Sequence, residues 1–219
     1  MTVVAPTLTL ERKLLAEYDL IISLDEVGRG ALAGPVAVGA SVMDAAGSRR
    51  RVPQGLRDSK LVTEKRRPEV AARAAAWVQA SGVGWATAAE IDDGGIMRAL
   101  GLAASRAIDA VVALGASLDG ALVILDGNHD YVSRVRPDSL QVRSVIKGDR
   151  DCASVSAASV IAKVARDTYM AELHVEHPAY QWDRNKGYAS LEHRAAIREA
   201  GLSPFHRASW AIADAPTLF

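Results

Sequence analysis

From Asp19 to Leu24 the chain runs through almost uninterrupted apolar side chains, the pattern of a strand buried on both faces, and stops abruptly at Asp25 and Glu26. A second apolar run, Val36 to Met43, follows Gly34-Pro35 closely enough to pair antiparallel with the first. Residues 44–60 are polar, basic and turn-rich, which predicts a loop. Thr63 to Gln79 reads as a helix, with Thr63 as its cap and Pro68 tolerated near the first turn. Val83 to Glu90 reads as a third strand and Ile91 to Leu114 as a helix that Gly94, Gly95 and Gly101 weaken near its start. Leu122 to Leu125 is a fourth strand, again ending in a carboxylate, Asp126, before Gly127; Gln141 to Ile146 is a fifth. Ala153 to Leu173 forms a long Ala- and Ser-rich helix and Leu191 to Glu199 another, while residues 1–17 make a short amphipathic lead-in.

Strands first, then alternating helices and strands, describe a mixed α/β sandwich around one sheet. In such sheets functional groups collect at the carboxyl ends of strands. Two buried strands each ending in Asp are therefore the strongest physical clue in the chain.

Composition changes this picture little. The 219 residues are 49% hydrophobic and 24% charged, as expected of a soluble globular protein, and no apolar run is long enough to cross a bilayer. A single cysteine, Cys152, excludes an internal disulfide and points to the cytoplasm. Lys plus Arg (26) equals Asp plus Glu (26), so the chain lacks the overall basicity usual in nucleic-acid binders; binding would need a local positive face. Arg49-Arg50-Arg51 and Lys65-Arg66-Arg67 are clusters, although solvated surface explains either one.

Buried carboxylates are costly to desolvate and are normally matched by a cation, a donor network or a metal. Magnesium prefers hard oxygen ligands, and a pair of ions roughly 4 Å apart suits phosphodiester hydrolysis. Glu26 and either Asp149 or Asp151 are candidates to join Asp25 and Asp126 around such ions. Successive strand side chains point to opposite faces, so bringing Glu26 beside Asp25 requires a turn or bulge at Gly28 and Gly30. Plainer roles fit the same residues: Asp25 in a turn, Asp126 opening an Asx-turn with Gly127, Asp149 or Asp151 capping the next helix.

LDEVGRGALAGPVAVGA (24–40), RDSK (57–60), LDGN (125–128), KGD (147–149), SAASVIAKVARD (156–167) and NKGY (185–188) together resemble the bacterial ribonuclease HII family, in order and through most of the chain. The resemblance implies a ribonuclease H-like α/β fold: a five-stranded mixed sheet flanked by helices, with a helical C-terminal part. It also implies one catalytic domain over 1–219, with a core at about 18–175 and a segment at about 176–219 completing the substrate cleft. The family's four metal-binding acids fall on Asp25, Glu26, Asp126 and Asp149, which would hold two Mg2+ or Mn2+ ions and leaves Asp151 as a helix cap. Asp167 is then a structural carboxylate pairing with Lys163 or Arg166.

By the same resemblance, Gly28, Arg29 and Gly30 meet the 2′-hydroxyl through backbone groups, and Tyr188 stacks on the sugar beside the scissile position. Lys60 lies in a segment near the nucleic-acid backbone, although the family's DSKKL reads DSKLV here. The expected substrates are RNA–DNA hybrids and duplex DNA with embedded ribonucleotides, cut on the 5′ side of the ribonucleotide to leave a 3′-hydroxyl and a 5′-phosphate. A general metal nuclease of the same fold, or a silent hybrid-binding module, are the alternatives. The chain is expected to be a monomer. A sliding-clamp contact through Pro216–Phe219 is the weakest of these expectations beside a simply packed or frayed end. The five histidines and Cys152 lack zinc spacing, and the Phe205–Trp210 segment suggests packing or substrate contact.

Overall fold

A computed structural model describes residues 5–136 and 140–210, so the expectation for Pro216–Phe219 lies outside the described residues. Five strands, β1 (Leu20–Val27), β2 (Val36–Asp44), β3 (Ala80–Ala86), β4 (Ala121–Asp126) and β5 (Gln141–Val145), form one mixed sheet in the order β3-β2-β1-β4-β5. β1 pairs antiparallel with β2 and parallel with β4; β2 and β3 are antiparallel, β4 and β5 parallel. The helices are α1 (Thr9–Leu14), α2 (Arg67–Trp77), α3 (Ala88–Ala113), α4 (Gly148–Asp151), α5 (Ala153–Glu176), α6 (Trp182–Asn185) and α7 (Leu191–Ala200). No described helix is long and apolar enough to cross a membrane.

Alternation along β1 divides its side chains between two cores. Ile22 and Leu24 join Val38, Val123 and Leu125 against Ala103, Ala107 and Ile108 of α3. Ile21 packs with Ile124 and Val155 on the other face, under α5. There α5 lies very close to the sheet: a Cβ at Gly39, the register partner of Asp25, would overlap the Ala158 carbonyl. Hydroxyls fix the height of that helix. Ser23 Oγ donates to Ser154 Oγ at 2.7 Å, Ser41 Oγ to the Ser154 carbonyl at 2.7 Å, and Ser154 in turn donates to buried Glu11. A third cluster, with Leu32, Met170, Tyr180, Trp182 and Ile197, ties the C-terminal helices to the far end of α5.

Several boundaries differ from the sequence reading, two of them for a clear local reason. The third strand ends at Ala86 rather than Glu90, because Thr87 and Glu90 close a capping box that starts α3 at Ala88. The glycines do break that helix, at Gly95 (φ 75°, ψ 164°). The helix expected over 63–79 begins as a short 3-10 turn, Glu64–Arg66, and becomes α-helical only with Pro68 in its first turn. Thr63 makes no side-chain cap bond there.

Candidate active site

β1 and β4 run side by side, with Leu24 in register with Leu125, so the next residue of each strand puts a carboxylate at the end of its apolar run. Asp25 and Asp126 both fall on the α5 face. Asp149 joins them from α4, reached through the left-handed residue Lys147 (φ 61°). Its N–H donates to Asp126 Oδ1 at 3.2 Å, and its carbonyl accepts from Ser156 Oγ at 2.7 Å.

Glu26 reaches the same end of the sheet from the opposite face. Of the turn or bulge expected there, the chain makes the turn, at Gly28 (φ 84°); the β1–β2 ladder runs without a bulge through Glu26↔Val38 and Val27↔Ala37, so Glu26 stays on its own face. There it accepts from the Tyr131 hydroxyl at 3.3 Å and lies 3.5 Å from Arg29. Lys60 Nζ stands in the same relation to Asp149, at 3.5 Å.

The electrostatics record this crowding. Burial pushes Asp25 well above the usual carboxylate range; the Ser159 hydroxyl opposes the shift, and the charges of Glu26, Asp126 and Asp149 add to it. Glu26 is raised by burial and by Asp126 against the pull of Arg29, and Asp149 by burial, Asp126 and Asp58 against that of Lys60. Among the described residues no three acidic side chains are drawn together tightly enough to grip an ion as they stand. The donor set nevertheless fits a hard divalent cation, being all carboxylate oxygen, partly buried and mutually repelled.

The two glycines beside the acids differ in kind. At Gly28 a Cβ would overlap the Arg166 guanidinium, whereas a Cβ at Gly30 would meet nothing within 4 Å. Gly28 is thus fixed by packing, and Gly30 faces open space. The 57–60 segment docks on α5 through Ser59 and Ser159, whose hydroxyls lie 3.1 Å apart, which brings Lys60 to Asp149. Tyr188 is half-buried, with Arg166 Cζ 5.5 Å and Lys163 Nζ 5.8 Å from its ring centre. The Gly187 carbonyl accepts from the amides of Leu32 and Ala33, which stitches the Tyr188 loop to the loop bearing Gly28–Gly30.

Sequence reasoning missed Arg166, Arg207, His193 and His206, which hold these two loops from behind. His193 Nδ1 bonds the Tyr188 carbonyl at 2.8 Å, and its Nε2 faces Trp182 Nε1 and His206 Nε2 at 3.0 and 3.1 Å. One other expectation needs correction. Asp151 caps no helix, because the neighbouring Arg150 takes both its oxygens, at 2.6 and 2.7 Å, and α5 starts from Cys152 with no side-chain cap. Asp167 pairs with Lys163 at 2.7 Å as expected, but its second cation is Arg67, at 3.5 Å, because Arg166 is turned into the core.

The sequence profile of ribonuclease HII matches residues 22–213. The ribonuclease HII of Streptomyces avermitilis is 48% identical over 212 residues, 96% of this chain and 85% of that one. Among solved structures, the ribonuclease H2 of Pyrococcus horikoshii OT3 is similar with a TM-score of 0.68 and 26% identity, over 89% of this chain and 95% of its own. Bst-RNase HIII, solved in complex with Mn2+, gives the same TM-score of 0.68 at 20% identity, over 91% and 70%, a likeness of fold alone. A match of this length and identity, on a sheet whose parallel strands end in carboxylates, makes the chain a member of the ribonuclease HII family, divalent-metal-dependent endonucleases acting on RNA–DNA hybrids.

Proposed function

We propose that the chain cuts duplex DNA at embedded ribonucleotides as well as RNA–DNA hybrids, on the 5′ side of the ribonucleotide, leaving a 3′-hydroxyl and a 5′-phosphate. The observation that supports this reading is that Asp25, Asp126 and Asp149 lie at the carboxyl end of β1 and β4, with Glu26 at the same end from the opposite face, beside a loop whose Gly30 faces open space. In this reading the four acids hold Mg2+ or Mn2+, which when bound supplies charge neutralisation at the phosphate and lowers the pKa of water.

The remaining roles belong to the chain's own groups. The Gly28–Gly30 backbone meets the 2′-hydroxyl, the one group that separates RNA from DNA at a given site. Tyr188, held by its carbonyl through His193, offers its ring to the sugar. Lys60, 80% exposed at its side chain, supplies a point charge for a phosphate near Asp149. The chain acts as a monomer in the cytoplasm, where the buried Cys152 stays reduced.

The test is cleavage of a labelled duplex carrying one ribonucleotide, with magnesium, with manganese and with chelator, beside an all-DNA control. A single cut 5′ to the ribonucleotide, lost with chelator and absent from the control, is expected. Cutting of the control would replace this reading with a general nuclease, and binding without turnover would replace it with a silent hybrid-binding module.

A further inference from the structure

Arg166 and Arg207 are both 0% exposed, yet neither forms an ion pair among the described residues. Charges that deep are normally matched by carboxylates. Here both guanidiniums are spent on backbone carbonyls, all but one of them in a single stretch. Arg166 donates to Pro35 at 2.9 Å, Ala33 at 3.1 Å and, across the gap between loops, Lys186 at 2.9 Å. Arg207 donates to Gly28 at 2.6 Å, Arg29 at 2.8 Å and Gly34 at 3.2 Å. Five of the eight carbonyls from Gly28 to Pro35 are thereby turned towards the interior.

The planarity of the peptide gives that arrangement a consequence. In a trans peptide the C=O of one residue and the N–H of the next point in opposite directions. With the carbonyls of Gly28 and Arg29 held inward by Arg207, the N–H groups of Arg29 and Gly30 are directed outward. Neither amide has a hydrogen-bond partner among the described residues, and the space at Gly30 is open. Successive outward amides of this kind form a cradle for an oxygen ligand.

We propose that Arg166 and Arg207 are positioning residues for ribose recognition, presenting the Arg29 and Gly30 amides to the sugar and joining that loop to the Tyr188 loop. This rests on the reading of Gly28–Gly30 as the segment that meets the 2′-hydroxyl. Burial and the neighbouring charge of Arg166 pull Arg207 down to about 9, so it remains a cation and a full donor at neutral pH. Trp210, with its ring centre 4.7 Å from Arg207 Cζ, closes the guanidinium in from behind. The Phe205–Trp210 segment thereby acquires a role it lacked in the sequence.

The test compares two affinities in chelator, for a duplex with one ribonucleotide and for the same duplex in DNA, in the wild type, Arg207→Met and Arg207→Lys. The wild type is expected to prefer the ribonucleotide, and Arg207→Met to lose that preference by about tenfold, the worth of one or two hydrogen bonds, with its DNA affinity unchanged. If Arg207→Met does not fold, Arg207→Lys carries the test, because one ammonium nitrogen cannot span the carbonyls that two guanidinium nitrogens hold; a partial loss is expected. Equal losses on both duplexes, or a Lys variant with wild-type preference, would overturn the positioning role and leave the reading of Gly28–Gly30 standing. A wild type with no preference at all would sink that reading, and this proposal with it.

Discussion

Two groups of buried like charges flank the loop from Gly28 to Pro35, and the fold treats them in opposite ways. On one side burial raises the proton affinity of Asp25, Glu26 and Asp149, and the charge of Asp126 adds to each, against the pull of Arg29 and Lys60. On the other, every nitrogen of Arg166 and Arg207 donates to a backbone carbonyl, and His193 Nε2 bonds both Trp182 and His206. Repulsion among the acids leaves binding energy available to an incoming cation; guanidiniums already bonded to carbonyls on every nitrogen make a rigid wall instead. The first group is built to receive something, the second to hold something still.

The sharpest way to break that contrast is to remove one acid. Asp126→Asn should keep the sheet, because the Asn side-chain oxygen can still accept from the Asp149 amide. Metal-dependent turnover should fall by more than the roughly 100-fold typical of losing a residue that only supports a ligand. Near-normal cleavage of the ribonucleotide duplex would dismiss the proposed site. Asp25→Asn sharpens the same point through stability. Without metal it should melt higher than the wild type, by about 2–4 °C for each kcal/mol of repulsion relieved. With saturating Mn2+ the order should reverse, since only the wild type gains from binding. Parallel melting curves that never cross would show that the acids carry no stored repulsion.

The acid side was legible in the chain and the basic side largely was not. β1 and β4 announced themselves as apolar runs ending in Asp25 and Asp126, because strands buried on both faces leave few other readings. Arg166 had a signal that was passed over. Ala158, Ala162, Arg166, Met170 and Leu173 recur at helical spacing, and all five are buried, so the arginine stands on an inward stripe. Arg207 and His206 stand in a segment that suggests packing or substrate contact, but their partners were not legible, being set by long-range packing, with Gly28 179 positions from Arg207. The end of β3 is a local matter: Thr87-x-x-Glu90 is a capping signature, and it stops the strand at Ala86.

Acidification should separate the two groups by sign. The acids have raised values, so their favourable contribution is present below the ordinary carboxylate range and is lost as pH rises through the raised values. Burial depresses both histidines, His206 to about 4 with His193 adding its charge, so their contribution is present above about 6.5 and lost as pH falls. For His206 the full fall is worth roughly 3 kcal/mol. Between pH 6.5 and 4 the metal-free protein should therefore lose stability at the histidines while the acids relax. Asp25→Asn, with one acid removed from the balance, should show the steeper fall, and His206→Gln a shallower one from a lower start. Melting temperatures across that range that keep rising in all three proteins would mean the histidine pair is not held neutral.

The smallest effect tests where the two regions touch. Gly28 and Gly30 are two residues apart, yet only Gly28 has a positive φ (84°) and a neighbour, Arg166, in the space a methyl would need. Gly28→Ala should cost about 1–2 kcal/mol for the left-handed backbone alone, and more from displacing Arg166. It should therefore lower the melting temperature and weaken turnover together. Gly30→Ala should leave the melting temperature within about a degree, because no backbone strain or overlap arises. Its methyl would instead occupy the open space proposed to take the sugar, so ribonucleotide preference should drop in a protein of wild-type stability. A Gly30→Ala variant that keeps full preference would place the point of sugar contact elsewhere on the loop.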